Sequence, residues 1–320
     1  APPPQTAVVC GVGMGESVAG RIASYVPVGV LPAFRRVCLL FHTGLARLLQ
    51  KDDGLRLALD TTLESRRLSS KRVWVVVRAR PSPGPGNCLR IDRKQVSVAA
   101  SGTSQGFSFC ADRAFDGSAS QADICGYIGE RVLPHALNGE HVCLMAYGQT
   151  GSGKTHTMTA IEEKAAHDLF EGSAQHAGDW ISMQFIELRG NRCFDLLAPV
   201  PKEKMPELRL RESGDGSFFA EGATSVSPKT PAELVAAIRT AHARRATSAT
   251  EANSVSSRSH ALCTLRMLKT RGQLTLADCA GTERKKDSMY HSRERQQEAA
   301  EINASLHALK ECVRYAAKRE

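Results

Sequence analysis

The spacing of hydrophobic and polar positions changes several times along the chain, and each change marks an element. Val73-Trp74-Val75-Val76-Val77 is an unbroken β-rich run. It predicts a strand, ended by Arg78-Ala79-Arg80-Pro81 and a Pro/Gly-rich stretch reaching Gly86. Shorter runs predict strands at Leu89–Ile91, Val96–Val98 and Phe107–Phe109. Gln121–Asn138 suits a helix, and Val142-Cys143-Leu144-Met145-Ala146 is a short apolar run expected to be a buried strand. Trp180–Leu188 and Gln273–Ala277 read as two more strands, and Ala232–Arg245 as a helix with a basic end. Before residue 72 the pattern is weaker. Leu39–Leu63 has apolar residues near helical spacing, so residues 1–68 are expected to be an N-terminal extension, either disordered or a small helical module. Gly11-Val12-Gly13 faintly resembles a dinucleotide turn, but Glu16 stands where its third glycine is required.

Between the strand at 142–146 and a following helical stretch lies Gly148-Gln149-Thr150-Gly151-Ser152-Gly153-Lys154-Thr155. This fits G-x-x-x-x-G-K-[ST], the loop that wraps nucleotide phosphates. Its glycines let backbone N–H groups turn inward to form an anion-binding concavity, and Lys154 adds a point charge near the outer phosphates. The Thr155 hydroxyl suits the magnesium ion that accompanies the nucleotide. A helix opening at Thr155 would turn its positive end to the phosphates. Strands alternating with helices around such a loop predict an α/β fold of the P-loop NTPase type, with a central mixed β-sheet sandwiched between helices.

Composition narrows the picture further. The 320-residue chain carries a formal net charge of +9, which favours a polyanionic partner such as an acidic protein surface, acidic lipid or nucleic acid. Its ten cysteines are scattered without a C-x-x-C pair, against a disulfide framework or zinc site and for a reducing compartment. The longest apolar stretch near the start is cut by Arg35 and Arg36, so no membrane span is expected, and no secretory signal is legible. The first residue is Ala1 rather than Met, which suggests a fragment.

Two later segments extend the nucleotide reading. Asn253-Ser254-Val255-Ser256-Ser257-Arg258-Ser259-His260 gathers hydroxyls and an arginine in a polar loop. The strand at Gln273–Ala277 ends in Asp278-Cys279-Ala280-Gly281-Thr282-Glu283. A carboxylate at a strand end followed three residues later by glycine is the second half of a P-loop nucleotidase. The acid holds the metal through water, and the glycine N–H reaches the terminal phosphate.

Taken in order, these motifs resemble the kinesin motor domain over residues 72–320. Ala146-Tyr147 through His156-Thr157-Met158 matches the family's phosphate-loop motif, Asn253–His260 its first switch and Asp278–Glu283 its second, with Thr282 where serine is commoner. Arg78-Ala79-Arg80-Pro81 resembles the segment that cradles adenine, which implies Arg78 and Pro81 at the base. The resemblance implies that Gly148, Gln149, Thr150, Gly151, Ser152, Gly153, Lys154, Thr155 and His156 bind ATP, and that Thr155, Ser257 and Asp278 serve magnesium. It implies further that Ser256 positions the attacking water, that Gly281 senses the terminal phosphate, and that Arg258 and Glu283 pair to close the switches. A microtubule-stimulated ATP hydrolase of the cytoplasmic microtubule cytoskeleton follows as the expected function. Tubulin is the expected partner rather than nucleic acid, and homodimerisation through regions outside this chain is compatible with it.

Within the family, Phe109-Cys110-Ala111-Asp112-Arg113-Ala114-Phe115-Asp116, Ala299-Ala300-Glu301-Ile302-Asn303 and Leu309-Lys310-Glu311-Cys312-Val313-Arg314 resemble the internal-motor kinesins that depolymerise microtubules. Ala304 replaces that group's usual lysine, and its Lys-Val-Asp tip has no clear equivalent. The family continues beyond this point with a basic loop and two more helices, so the chain is expected to be C-terminally truncated. Ile302, Leu306, Leu309 and Val313 share a helical face expected to point inward, and Lys310, Arg314 and Lys318 form a basic stripe expected to meet the filament. Two other readings stand beside this one: a non-motile microtubule-binding protein with an intact nucleotide site, and an unrelated P-loop nucleotidase.

Overall fold

The structure, a computed structural model, describes residues 5–12, 73–81, 89–92, 94–99, 106–171, 179–201, 204–212, 218–246, 258–282, 301–302, 304–309 and 311. In chain order the elements are β1 (Gln5–Val12), β2 (Val73–Arg78), β3 (Leu89–Asp92), β4 (Gln95–Val98), β5 (Phe107–Cys110) and β6 (Arg113–Phe115). They continue with α1 (Gln121–Leu137), β7 (His141–Tyr147), α2 (Lys154–Glu171), β8 (Ile181–Arg189), β9 (Arg192–Asp195), β10 (Glu207–Glu212) and β11 (Phe218–Glu221). The series ends with α3 (Pro231–Ala246), β12 (His260–Met267) and β13 (Gln273–Asp278), and residues 304–309 are helical again.

Ten strands form one sheet in the order β11-β10-β9-β8-β12-β13-β7-β1-β2-β6, while β3, β4 and β5 make a small antiparallel sheet beside it. The half from β13 to β6 is parallel and the half from β12 to β11 is antiparallel, so the sheet is mixed, as the alternating pattern predicted. Side chains of successive strand residues point to opposite faces, and the two faces feed two cores. On β7, Val142, Leu144 and Ala146 join a core with Ile124 and Ile128 of α1, Met158 and Leu169 of α2 and Ile238 of α3. Cys143 and Met145 face the other way and pack with Leu188, Ala277, Leu306 and Leu309. A strand covered by helices on both faces must be apolar throughout, which is why 142–146 has no polar interruption. Leu144 is fully buried, and its truncation to alanine would cost about 2–5 kcal/mol.

The expected strands and helices appear within a residue or two of their predicted bounds. Ser120 caps α1: its hydroxyl accepts from the Asp123 N–H at 3.1 Å while the Asp123 carboxylate accepts from the Ser120 N–H. Leu306 and Leu309 are buried and Ile302 packs against them, as helical spacing predicts, whereas Val313 lies outside the described residues.

The first residues do not stand apart from the sheet. Gln5–Val12 pairs in parallel with both β7 and β2, so part of the expected N-terminal extension occupies a central position. The helix expected at Leu39–Leu63 lies outside the described residues.

Candidate nucleotide site

Register brings the two motifs together. In the β13/β7 pair, Leu276 sits opposite Leu144 and Asp278 opposite Ala146, two residues before the glycine-rich loop begins. Beyond the strand ends, the Cys279 N–H donates to the Ala146 carbonyl at 3.2 Å and the Thr282 N–H to the Gly148 carbonyl at 3.2 Å. The acidic motif is therefore zipped onto the phosphate loop by main-chain bonds, at the carboxyl ends of parallel strands where α/β folds place their ligands.

The loop itself needs its glycines. Gly151 and Gly153 have φ of 75° and 96°, a left-handed region that costs residues with a Cβ. Lys154 opens α2 and is buried, with Nζ donating to the carbonyls of Gly148 and Gln149 at 2.9 Å each. Thr157 Oγ1 donates to the Gly153 carbonyl at 2.9 Å. These bonds hold the loop curled over the positive end of α2, a geometry suited to an anion.

Asp278 is the polar centre. One oxygen, Oδ2, accepts from Thr155 Oγ1 at 2.7 Å and from the Arg245 guanidinium at 2.5 Å. The other, Oδ1, is buried without a hydrogen-bond partner among the described residues. An ionised oxygen in that position is costly unless a cation or water meets it. A hydroxyl and a carboxylate side by side, one oxygen unsatisfied, form the hard-oxygen donor set that magnesium prefers, so the residues fit that ion. Ser152 Oγ, in the loop, is likewise buried and unpartnered among the described residues.

Arg245 ties this centre to the segment after the polar serine-rich loop. Its guanidinium also donates to the Ser259 carbonyl at 2.7 Å and to Ser259 Oγ at 3.3 Å. The next residue, His260, is buried behind the site, and its Nδ1 accepts from the Ala280 N–H at 3.2 Å. Burial, with Arg245 and Lys154 near, pushes its imidazole pKa down to about 3, so it is neutral. Buried Glu162 of α2 pairs with half-buried His242 of α3, and burial raises the Glu162 pKa.

The sequence-predicted residues divide into three sets. The Gly148–Thr155 loop meets Asp278 through Thr155, and the Thr282 bond to the Gly148 carbonyl brings the segment holding Gly281 beside it. Arg78 is buried, and its Nη1 donates to Thr157 Oγ1 at 2.7 Å, beneath the first turn of α2. Its neighbour Arg80 is the one that reaches the phosphate loop, donating to the Gly151 carbonyl, while Pro81 and His156 are exposed. Arg258 is described just ahead of Ser259, whereas Ser256, Ser257, Glu283, Lys310, Arg314 and Lys318 lie outside the described residues.

Arg245 was not singled out from sequence, although a signal existed. Leu234, Ile238, Ala241 and Arg245 are the buried residues of α3, spaced by four, three and four. An arginine in phase with an apolar stripe, rather than against it, announces a buried partner.

A parallel-strand site with a curled glycine loop, a helix N-terminus and an opposed carboxylate defines an α/β fold of the P-loop NTPase type. The family described as the kinesin motor domain matches residues 64–320, and the chain belongs to that family. It is 42% identical over 176 residues to "Diatom spindle kinesin-1" of Cylindrotheca fusiformis, covering 53% of this chain and 27% of that protein. It is 31% identical over 242 residues to "Kinesin-like protein KIN-13B" of Arabidopsis thaliana, covering 71% and 35%. "Kinesin-like protein 5" of Schizosaccharomyces pombe is 32% identical over 256 residues, covering 73% and 28%. The chain thus spans roughly a third or less of these relatives. Among solved structures, a KIF14 dimer with AMP-PNP in complex with a microtubule is similar at a TM-score of 0.64 and 27% identity, covering 73% of this chain and 74% of that one. A fast kinesin follows at 0.60 and 28%, covering 72% and 71%. No helix among the described residues is long and apolar enough to cross a membrane.

Proposed function

We propose that this chain is an ATP-hydrolysing motor domain whose turnover is stimulated by microtubules. The observation that carries the reading is the meeting of Thr155 and Asp278, at 2.7 Å, under a loop built for phosphates, with one Asp278 oxygen left unsatisfied. Magnesium would supply positive charge to offset that of the phosphates. Thr155 and Asp278, joined by Ser257, would hold it. The loop N–H groups from Gly148 to Thr155 bind the phosphates, and Lys154 turns its ammonium from the loop carbonyls to the outer phosphates. Arg78 and Pro81 would meet the base, with Arg80 held on the Gly151 carbonyl beside them. Ser256 orients the water and Gly281 donates its N–H to the terminal phosphate. Arg258 and Glu283 pair to exclude solvent, so the reaction is accelerated chiefly by positioning and charge.

A tubulin surface is the partner that the family membership and the basic charge favour, with the cytoplasmic microtubule cytoskeleton as the place of action. Phosphate release tests the reading directly. The chain should hydrolyse ATP, and added microtubules should raise the rate several-fold. Lys154→Ala should lose binding of a fluorescent ATP analogue; a variant that binds like the native chain would overturn the assignment. ATP turnover indifferent to tubulin would favour a nucleotidase outside motility.

A narrower reading, depolymerisation at filament ends, is supported by the Ala299–Asn303 and Leu309–Arg314 motifs. Relatives of several kinds match, at 42%, 31% and 32% identity, so that activity rests on the motifs alone. Tubulin released from stabilised microtubules, measured beside gliding, separates the two.

A further inference from the structure

One strand of the ten-stranded sheet comes from outside the part of the chain that matches the family. Residues 64–320 contain every strand from β2 onward, and β1 alone lies before them. Yet β1 has no free edge. It pairs in parallel with β7 over Gln5–Gly11 on one side and with β2 over Ala7–Val12 on the other. Among the described residues β7 and β2 never pair with each other, and β6 pairs only with Val76, Val77 and Arg78 of β2. The link between the β7 half of the sheet and the β2 half is therefore β1.

The two strands that β1 separates carry the two sides of the nucleotide site. β7 ends at Tyr147, one residue before the phosphate loop, and β2 ends at Arg78, the first residue of the segment assigned to the base. Gly11 lies opposite Tyr147 on one side and Val77 on the other, and Val12 lies opposite Arg78. The strand thus runs up to the site and stops between its halves. Neighbouring strands lie about 4.8 Å apart, so one strand in the slot sets β7 and β2 about 10 Å apart. Two side-chain bonds cross the same gap, from Arg78 Nη1 to Thr157 Oγ1 at 2.7 Å and from Arg80 to the Gly151 carbonyl. An empty slot would leave the facing edges of β7 and β2 unpaired, a costly state for buried main-chain groups, and the two halves would shift.

We infer that β1 is a positioning strand for the nucleotide: by filling the slot between β7 and β2, it sets the distance between the phosphate loop and the base-side segment at residues 78–81. Recognition of the base then depends on β1, whereas recognition of phosphates alone does not. The inference rests on the nucleotide function proposed above.

The test compares a fluorescent ATP analogue with inorganic tripolyphosphate, each with magnesium. The first ligand needs both sides of the site and the second needs only the loop. Val9 lies at mid-strand, opposite Val75 and Met145, and Val9→Pro removes its main-chain donor. Affinity for the analogue should fall by about 10-fold or more while that for tripolyphosphate stays within about threefold. Val9→Ile, which keeps the donor and the β-branch, should bind both ligands like the native chain. A folded Val9→Pro chain that keeps its affinity for the analogue, or loses both ligands equally, would overturn the inference. Should that variant fail to fold, judged by lost amide protection at residues 181–188, the native chain decides. There the analogue should slow amide exchange at residues 10–12 by about threefold more than tripolyphosphate does, and equal slowing would overturn the inference. A native chain that binds the analogue while residues 6–12 exchange like unprotected backbone overturns the inference and leaves the nucleotide reading standing. A native chain that binds neither ligand overturns the nucleotide reading itself, and with it the inference.

Discussion

Arg245 and Asp278, thirty-three residues apart in sequence, form an ion pair in which both side chains are at most 2% exposed. Burying two charges is costly, and removing one partner leaves the other without compensation. Arg245→Ala should therefore destabilise the fold by about 3–5 kcal/mol, and Asp278 alone should be similarly intolerant. Urea unfolding of the two single variants and the double variant checks this. The double variant should be less unstable than the sum of the singles, because no uncompensated charge remains. Additive losses would mean that the pair is not a unit.

The buried neutral state of His260 gives stability a pH dependence of known sign. Its pKa is lowered to about 3 in the folded chain, against about 6.5 when unfolded. As pH falls below 6.5 the unfolded state takes up a proton that the folded state refuses, so stability declines until pH approaches 3. Between pH 7 and 5.5 the histidine should cost about 1 kcal/mol. Denaturant midpoints at the two pH values, compared between the native chain and His260→Gln, isolate this share. An equal pH response in both would remove His260 as its source.

The strand, loop and helix around Lys154 were legible because motif, periodicity and composition agreed at one place. Other parts were hidden for separate reasons. β9, β10 and β11 are short and charged, with Arg192–Glu207 and Arg211–Glu221 pairing across neighbouring strands, so little alternation of hydrophobicity betrays them. β12 does alternate, burying Ala261, Cys263, Leu265 and Met267, but Leu262 on the opposite phase blurs the period. The position of β1 between β7 and β2 comes from pairing across more than sixty residues, which no local pattern encodes. Within the site, Arg80 and Arg78 exchange prominence: both belong to one basic tetrapeptide, but β2 ends at Arg78, which is buried, and Arg80 lies past the strand's end and is exposed.

Glu283 is proposed to act after binding. Glu283→Ala should bind ATP with little change and lose turnover by 10-fold or more, roughly the size of a contact made only in the transition state. Basal and microtubule-stimulated phosphate release, read beside nucleotide affinity, test the role. A variant weakened in affinity but not in turnover would place Glu283 in ground-state binding instead.

The filament surface is the last prediction. Leu306 and Leu309 are buried against the sheet, which sets one side of the helix inward. In sequence, Lys310, Arg314 and Lys318 recur every four residues, a spacing that aligns side chains along a helix. Charges brought against an acidic protein surface act through solvent, where salt screens them over about 8 Å at physiological ionic strength. Exposed pairs of this kind contribute about 1 kcal/mol or less each, so two must be removed together to be seen. Lys310→Ala with Arg314→Ala should lower microtubule affinity by about 10-fold, following that magnitude. Basal ATP turnover should be unchanged, and the deficit should shrink as salt rises because the native chain then loses the same attraction. Co-sedimentation across a salt series, with basal ATPase measured in parallel, gives both readouts. A double variant that binds microtubules as tightly as the native chain at low salt would move the contact surface to another part of the domain.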